Sequence, residues 1–144
     1  MEAGFINPES PKWAEVLSLV EHDFYHLPGY VDLSARYEGG VPRAFLAEEG
    51  GNYLLIPLII RPVIVSGRGE KPEVYDAISP YGYSCPLVYN EHSLDNMDFL
   101  ENAVQAFKEE MERKNIVCAF VRSHPLITLP EKKFADTGCL VQHG

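Results

Sequence analysis

The sequence predicts a single domain (residues 1–144) of the α/β class in its α+β form. Its central sheet is expected to be mostly antiparallel and flanked by helices. Gly50-Gly51-Asn52 is a hairpin turn signal between two stretches with strand character. Leu94–Lys114 has a helical apolar stripe, and Ile116–Val121 is the apolar run typical of a buried strand. A hairpin followed by strand, helix and strand indicates this class. A length of 144 residues is near the usual size of one domain.

Two helices are predicted before the hairpin. Ser10 is a favourable N-cap and Pro11 suits the first helical position. One apolar face then follows helical spacing, with Trp13, Val16, Leu17 and Val20. A short second helix is expected at Tyr30–Arg36 and ends at Gly39-Gly40.

The hairpin arms are predicted at Arg43–Glu48 and Tyr53–Val65. Pro57 and Pro62 remove two backbone donors, so the second arm is expected to be bulged, to lie at an edge, or to be two pieces. A short strand follows at Val74–Ile78.

The C-terminal half is dominated by the long helix. Its core stripe is Met97, Leu100, Val104, Phe107 and Met111. Ser93 is a candidate cap and Asn115 a candidate terminator. In the strand after it we expect Cys118 to lie in the core, and the tail Phe134–Gly144 is expected to hold one more short strand.

Charge excludes two classes of partner. The formal net charge is −9, and the 12 Lys and Arg residues form no dense run. Phosphate backbones and anionic membranes both require a cationic surface, so neither a nucleic acid nor an anionic membrane surface is expected as a partner. The longest apolar stretch, around Tyr53–Ile60, contains a proline and ends at Arg61, so no membrane span is expected.

Compartment follows from the N-terminus and the cysteines. The start MEAGFINPES has no basic and apolar pattern of a signal peptide. The three cysteines are widely spaced and give no disulfide framework: Cys85, Cys118 and Cys139. The expected location is therefore cytoplasmic.

Three motifs suggest chemistry but have ordinary explanations. His22–His26 imitates the HExxH zinc motif, but its acid is the shorter Asp and Leu27-Pro28 should end the helix, so no metal is expected. Arg36–Val41 imitates a pyrophosphate loop but leads into a strand, not a helix. Cys85 and His124 would suit a nucleophile and its base, yet sequence cannot bring them together and a lone cysteine is usually a small apolar residue.

The most informative stretch is Asp76–Leu87, DAISPYGYSCPL. Tyr81 and Tyr83 flank a glycine in a turn that a proline restricts. Their phenols can donate hydrogen bonds while their rings form a pocket wall, and Ser79 is a further candidate for capping or binding. The alternative is a rigid corner whose tyrosines pack on the core.

Three segments resemble the FemAB family of acyltransferases in the GNAT superfamily, in the family's order. They are Asp23–Tyr30 (DFYHLPGY), Leu54–Arg61 (LLIPLIIR) and Tyr75–Leu87 (YDAISPYGYSCPL). The third is the most specific, although Cys85 stands where the family usually has glycine. The resemblance implies a GNAT-like fold and N-acyl transfer, in which an amine attacks a thioester or ester.

The resemblance also implies a division of labour between two lobes. This chain corresponds to the first, acceptor-binding lobe, so we expect a fragment, a truncated gene product or a stand-alone lobe. No cofactor is expected on this lobe, because acyl-CoA or aminoacyl-tRNA would bind the second one as donor. The expected partners are a small-molecule or peptidoglycan-type amine and either a separate C-terminal lobe or a second copy.

We expect Tyr81 and Tyr83 to hydrogen-bond the acceptor, and the weaker candidates are Ser79, His26, Tyr25 and Arg61. We assign no general base, because no sequence pattern identifies one. Two other functions remain open, a non-catalytic small-molecule or peptide binding module and a self-associating interaction domain.

Overall fold

The computed structural model describes residues 1–64, 67, 74–91, 97–127 and 134. Within them the strands are β1 (Glu2–Ile6), β2 (Val41–Glu49), β3 (Asn52–Pro62), β4 (Tyr75–Ile78), β5 (Leu87–Tyr89) and β6 (Ile116–Phe120). The helices are α1 (Pro11–Leu19), α2 (Pro28–Glu38) and α3 (Met97–Arg113), with a 3₁₀ turn at Phe24–His26. This is the α+β class that the sequence predicts.

The sheet runs in the order β1-β2-β3-β4-β6, and β5 pairs with β3. All pairs are antiparallel except β4 and β6. α3 covers one face, where the ring centroids of Phe45 and Phe107 lie 5.0 Å apart. α1 and α2 cover the other, where Tyr53 of β3 reaches Glu15 of α1. The sheet is therefore a middle layer with helices on both faces.

The turn chemistry of the first half is confirmed. Gly50 and Gly51 both have positive φ and join β2 to β3, as a tight hairpin requires. Gly39 adopts the left-handed conformation and ends α2. α2 nevertheless begins at Pro28, earlier than expected, because proline is well suited to the first helical turn.

β3 resolves the question of its two prolines. It pairs without interruption or register shift with β2, from Asn52 to Ile60, so this ladder is not bulged and the strand is not two pieces. It also has partners on its other side, so it is not an edge strand. On its other side β5 pairs with 53–55 and β4 with 59–62. Pro57 lies in the interval between these two ladders, where the strand has no partner on that side.

The prediction for Cys118 was wrong. Cys118 is exposed, as are its neighbours Val117 (63%) and Phe120 (57%). Among the described residues β6 pairs only with β4, so it is an edge strand and not a central one. The apolar composition of Ile116–Val121 therefore did not mean burial, and only Ile116 of β6 is buried.

Two strands were not anticipated, β1 and β5. Conversely, the predicted cap at Ser93 and the predicted tail strand lie outside the described residues. Within the tail segment only Phe134 is described, and it is buried. Asn115 has a φ of 55° and ends α3 as expected. No helix in the described ranges combines the length and apolar character needed to cross a bilayer.

Candidate functional site

The Ser79–Tyr83 loop leaves the sheet at the carboxyl end of β4, beside the end of its parallel neighbour β6. Ser79 is fully buried and joins the two strand ends: its backbone N–H donates to the Phe120 carbonyl (2.8 Å) and its Oγ accepts from the Arg122 N–H (3.1 Å). With its hydroxyl engaged in this way, Ser79 anchors the loop.

Four aromatic side chains pack on one another around this loop: Phe24, Tyr25, Tyr30 and Tyr83. Tyr81 joins them through its backbone carbonyl, which accepts from Tyr30, and we call the five residues together the tyrosine surface. Tyr25 is at its centre, with ring centroids 5.5 Å from Tyr30 and 5.9 Å from Tyr83, both edge-on. Tyr81 is 73% exposed and Tyr83 49% exposed. The surface thus combines packed rings with accessible phenols.

The loop is tied to the preceding segment by hydrogen bonds and by close contact. The Tyr30 hydroxyl donates to the Tyr81 carbonyl (2.9 Å), and the Ser84 hydroxyl donates to the Tyr25 carbonyl (2.8 Å). Gly82 has a φ of 98°, and a Cβ there would lie 2.3 Å from Cε1 of Tyr25. Only glycine allows this approach without displacement of the ring.

A histidine–carboxylate pair lies next to the aromatic rings. His124 Nε2 lies 3.2 Å from Asp23 Oδ2, and His124 Nδ1 accepts from the backbone N–H groups of Leu126 and Ile127. Because Nδ1 is an acceptor, the proton of neutral His124 belongs on Nε2 and is donated to Asp23. Hydrogen bonds from His124 and from the Phe24 N–H lower the pKa of Asp23.

The ring of His124 also faces Tyr83, with centroids 5.9 Å apart. The Asp23 side chain remains 39% exposed, so a carboxylate is accessible beside the tyrosine surface.

His26 lies beneath this layer and is fully buried. The Asp23 N–H donates to its Nδ1 (3.0 Å), which leaves Nε2–H to donate to the Cys85 carbonyl (3.1 Å). Burial lowers the pKa of His26, so the neutral ring is favoured. Its carbonyl accepts from the Trp13 indole (2.9 Å). His26 therefore joins the loop to the core and presents no surface to a ligand.

Cys85 does meet a histidine, but in a setting that suppresses reactivity. Its Sγ lies 3.6 Å from His26 Nε2 and the residue is fully buried. Burial raises the pKa of the thiol to about 12. Since the thiolate is the nucleophile, this environment does not suit nucleophilic catalysis.

Arg61 is engaged elsewhere. Its guanidinium forms a bidentate pair with Asp76 (2.9 and 2.7 Å) and lies 3.5 Å from Glu38. These carboxylates join the end of α2 to β4. Arg61 thus contacts the first half of β4, whereas the Ser79–Tyr83 loop follows the end of that strand.

The two sequence motifs that imitate known sites have local explanations. His22–His26 is not the end of a helix, as expected from sequence, because α1 ends at Leu19 and Leu27-Pro28 begins α2. Phe24–His26 forms the 3₁₀ turn, and His22 is exposed and bonded to the Val20 carbonyl (3.0 Å) while His26 is buried. Arg36–Val41 is the end of α2 and the start of β2, as the sequence indicated.

Of the six residues singled out from sequence, three belong to the tyrosine surface: Tyr25, Tyr81 and Tyr83. Phe24, Tyr30 and the Asp23–His124 pair were missed as parts of the site. The aromatic spacing around Tyr25 was a usable signal for the first two. No local signal links Asp23 to a histidine 101 positions away.

No protein-family model, curated protein or solved structure matches this chain. The groups that this site offers to a ligand are accessible phenols, ring faces and the carboxylate of Asp23. Ring faces attract cations, and a carboxylate beside them adds a charge partner.

Proposed function

We propose that this domain is the acceptor-binding lobe of a FemAB-like N-acyltransferase and that its tyrosine surface binds the amine-bearing acceptor. The proposal depends chiefly on one observation: Tyr81 and Tyr83 are exposed on a glycine-dependent loop beside the accessible carboxylate of Asp23. Such a surface suits an ammonium group, because the rings and the carboxylate both favour positive charge.

The rigidity of the loop supports a binding role over a passive corner. A passive corner would bury its tyrosines, whereas here the backbone is fixed and the phenols remain in solvent. Preorganised side chains lose little conformational entropy when a ligand binds. In this proposal the lobe positions the amine, and the acyl donor and the catalytic step belong to a second lobe.

A titration with matched peptides tests the binding role. The probes are a short lysine-containing peptide of the peptidoglycan type and the same peptide with its side-chain amine acetylated, followed by NMR shifts and calorimetry. We expect the free amine to bind and the acetylated form to bind about tenfold more weakly, since it has no charge for the rings or for Asp23. Equal binding of both forms would contradict the proposal.

Variants locate the binding. Tyr81→Ala and Tyr83→Ala should each weaken binding of the free-amine peptide, whereas Tyr37→Ala should not. Tyr37 is the matched control because it is a tyrosine with 92% exposure on α2 and lies outside the tyrosine surface. A loss of binding in the Tyr37 variant alone would assign the ligand to another surface.

A second candidate is a self-associating domain, and the edge strand β6 favours it. Val117 and Phe120 are exposed apolar residues on a strand with one described neighbour. Exposed apolar edges promote pairing with another chain. Light scattering over a concentration series tests this candidate: Val117→Lys should reduce association, and a strictly monomeric wild type would exclude it.

A further inference from the structure

A cleft of about 420 Å³ opens under the last turn of α3, on the face of the sheet that this helix covers. Its apolar lining comes from four different strands, with Phe5, Val41, Ile60 and Ile116. Volumes of this order are usual for small-molecule sites. The cleft lies at the start of β4, whereas the tyrosine surface lies beyond its end, so the two regions are distinct.

Arg43 is the unusual residue of this cleft. It occupies a half-buried position in β2, opposite Leu58 of β3, and side-chain alternation places Val41 and Phe45 on the same face. Its Nη1 donates to the Pro42 carbonyl (2.8 Å). Within the part of the chain that the structure describes, no carboxylate forms an ion pair with Arg43.

A half-buried guanidinium among apolar side chains is costly without a counter-charge. Glu110 also lines the cleft, but its carboxylate is held by Arg113, whose Nε donates to it at 2.9 Å. Arg113 and Lys114 lie at the carbonyl end of α3, where cations are favoured for the helix itself. Arg43 lies on strand β2, so the carbonyl end of a helix does not explain its position in the same way.

We infer that this cleft binds an amphipathic carboxylate, with the carboxylate on Arg43 and the apolar part on the four hydrophobic residues. A guanidinium offers two parallel N–H donors that match the two carboxylate oxygens. Tyr75 lines the same cleft and adds a phenol that can donate to the anion. Lys114 also lines the cleft and adds positive charge, in a chain whose overall net charge is −9.

Three probes with the same eight-carbon chain test the assignment: octanoate, octan-1-ol and octylamine. Calorimetry on the full chain should show binding of octanoate, binding of octanol weaker by about tenfold or more, and no binding of octylamine. NMR shifts caused by octanoate should centre on Ile60 and Ile116. Equal affinity for octanoate and octanol, shifts centred on Tyr81 and Tyr83, or no octanoate binding would each overturn the inference.

Variants test the role of Arg43. Arg43→Gln should weaken octanoate binding about tenfold or more and leave octanol binding unchanged. Arg43→Lys should be intermediate, because an ammonium keeps the charge but not the bidentate geometry. Arg36→Gln is the control, since Arg36 is exposed on α2 and pairs with Asp32. If Arg43→Gln lowers the melting temperature, Tyr75→Phe is the second variant, and it should weaken octanoate binding by a smaller factor. Unchanged octanoate binding in every cleft variant would overturn the inference.

Discussion

The α-carbon of Gly82 lies against the ring of Tyr25, so that a Cβ added to Gly82 would lie 2.3 Å from Cε1 of that ring. This contact joins the two segments that make the tyrosine surface. Tyr25 belongs to the 3₁₀ turn before α2, and Gly82 to the loop after β4. The position of the exposed phenols of Tyr81 and Tyr83 therefore depends on a residue that has no side chain.

Replacement of Gly82 by alanine should disturb both the fold and the site. The φ of 98° is strained for a residue with a side chain, and the new methyl must displace the Tyr25 ring. We expect Gly82→Ala to lower the free energy of unfolding by about 1–3 kcal/mol, measured by urea denaturation. Binding of the amine peptide should weaken as well.

Gly29→Ala is the matched control for this prediction. Gly29 lies in the first turn of α2, and a Cβ there would meet nothing within 4 Å. Alanine should leave the stability unchanged or raise it by about 0.4–1 kcal/mol, because the unfolded chain loses freedom. A Gly82 variant as stable as the Gly29 variant would contradict the proposed contact.

The ion pair between Arg61 and Asp76 should contribute more to stability than an exposed pair. The two side chains are 31% and 24% exposed, and the pair is bidentate. Asp76→Asn should lower the free energy of unfolding by about 1–3 kcal/mol, since a half-buried guanidinium loses its main partner. Asp32→Asn removes the exposed pair with Arg36 and should cost about 0.5 kcal/mol or less. Equal losses would show that the Arg61 pair is solvated like a surface pair.

The two described cysteines should differ sharply in reactivity. Cys118 is exposed, whereas Cys85 is buried with a pKa raised to about 12. Treatment of the native protein with iodoacetamide at pH 8, followed by peptide mass mapping, should modify Cys118 and leave Cys85 protected. Both should react in urea. Rapid native modification of Cys85 would contradict its burial and reopen a nucleophilic role.

Stability should fall in mild acid because of His26. Its pKa in the folded protein lies below the ordinary value of 6.5, so below pH 6.5 the unfolded chain binds a proton that the folded chain does not. The free energy of unfolding therefore decreases as the pH falls from about 6.5. The lowered pKa of Asp23 affects the free energy of unfolding only as the pH falls towards and below the ordinary carboxyl value of 3.8. Denaturation between pH 5 and 7.5 therefore separates the effect of His26 from that of Asp23.

His26→Gln should flatten this pH dependence, because glutamine can still donate to the Cys85 carbonyl but does not titrate. His22→Gln, which replaces an exposed histidine of the same segment, is the control. A wild-type slope that survives in the His26 variant would assign the titration to another group.

Elements with strong local signals were predictable. The glycine pair of the hairpin, the left-handed Gly39 and the stripe of α3 each fix a local conformation through their own backbone or periodicity. β1 and β5 were missed because each is only a few residues long and has no turn signal of its own; both form by pairing with strands distant in the sequence.

The amino-acid sequence by itself determined the α+β class, the main turns and the tyrosine-rich loop, because propensity, periodicity and glycine φ act over a few residues. Only the tertiary structure decided that β6 has a single partner strand among the described residues, that Cys118 is exposed, and that Asp23 meets His124. It also placed Arg43, which forms no ion pair among the described residues, in the cleft under α3. These outcomes depend on which distant segments become neighbours, and burial and charge pairing are properties of those neighbours, not of local composition.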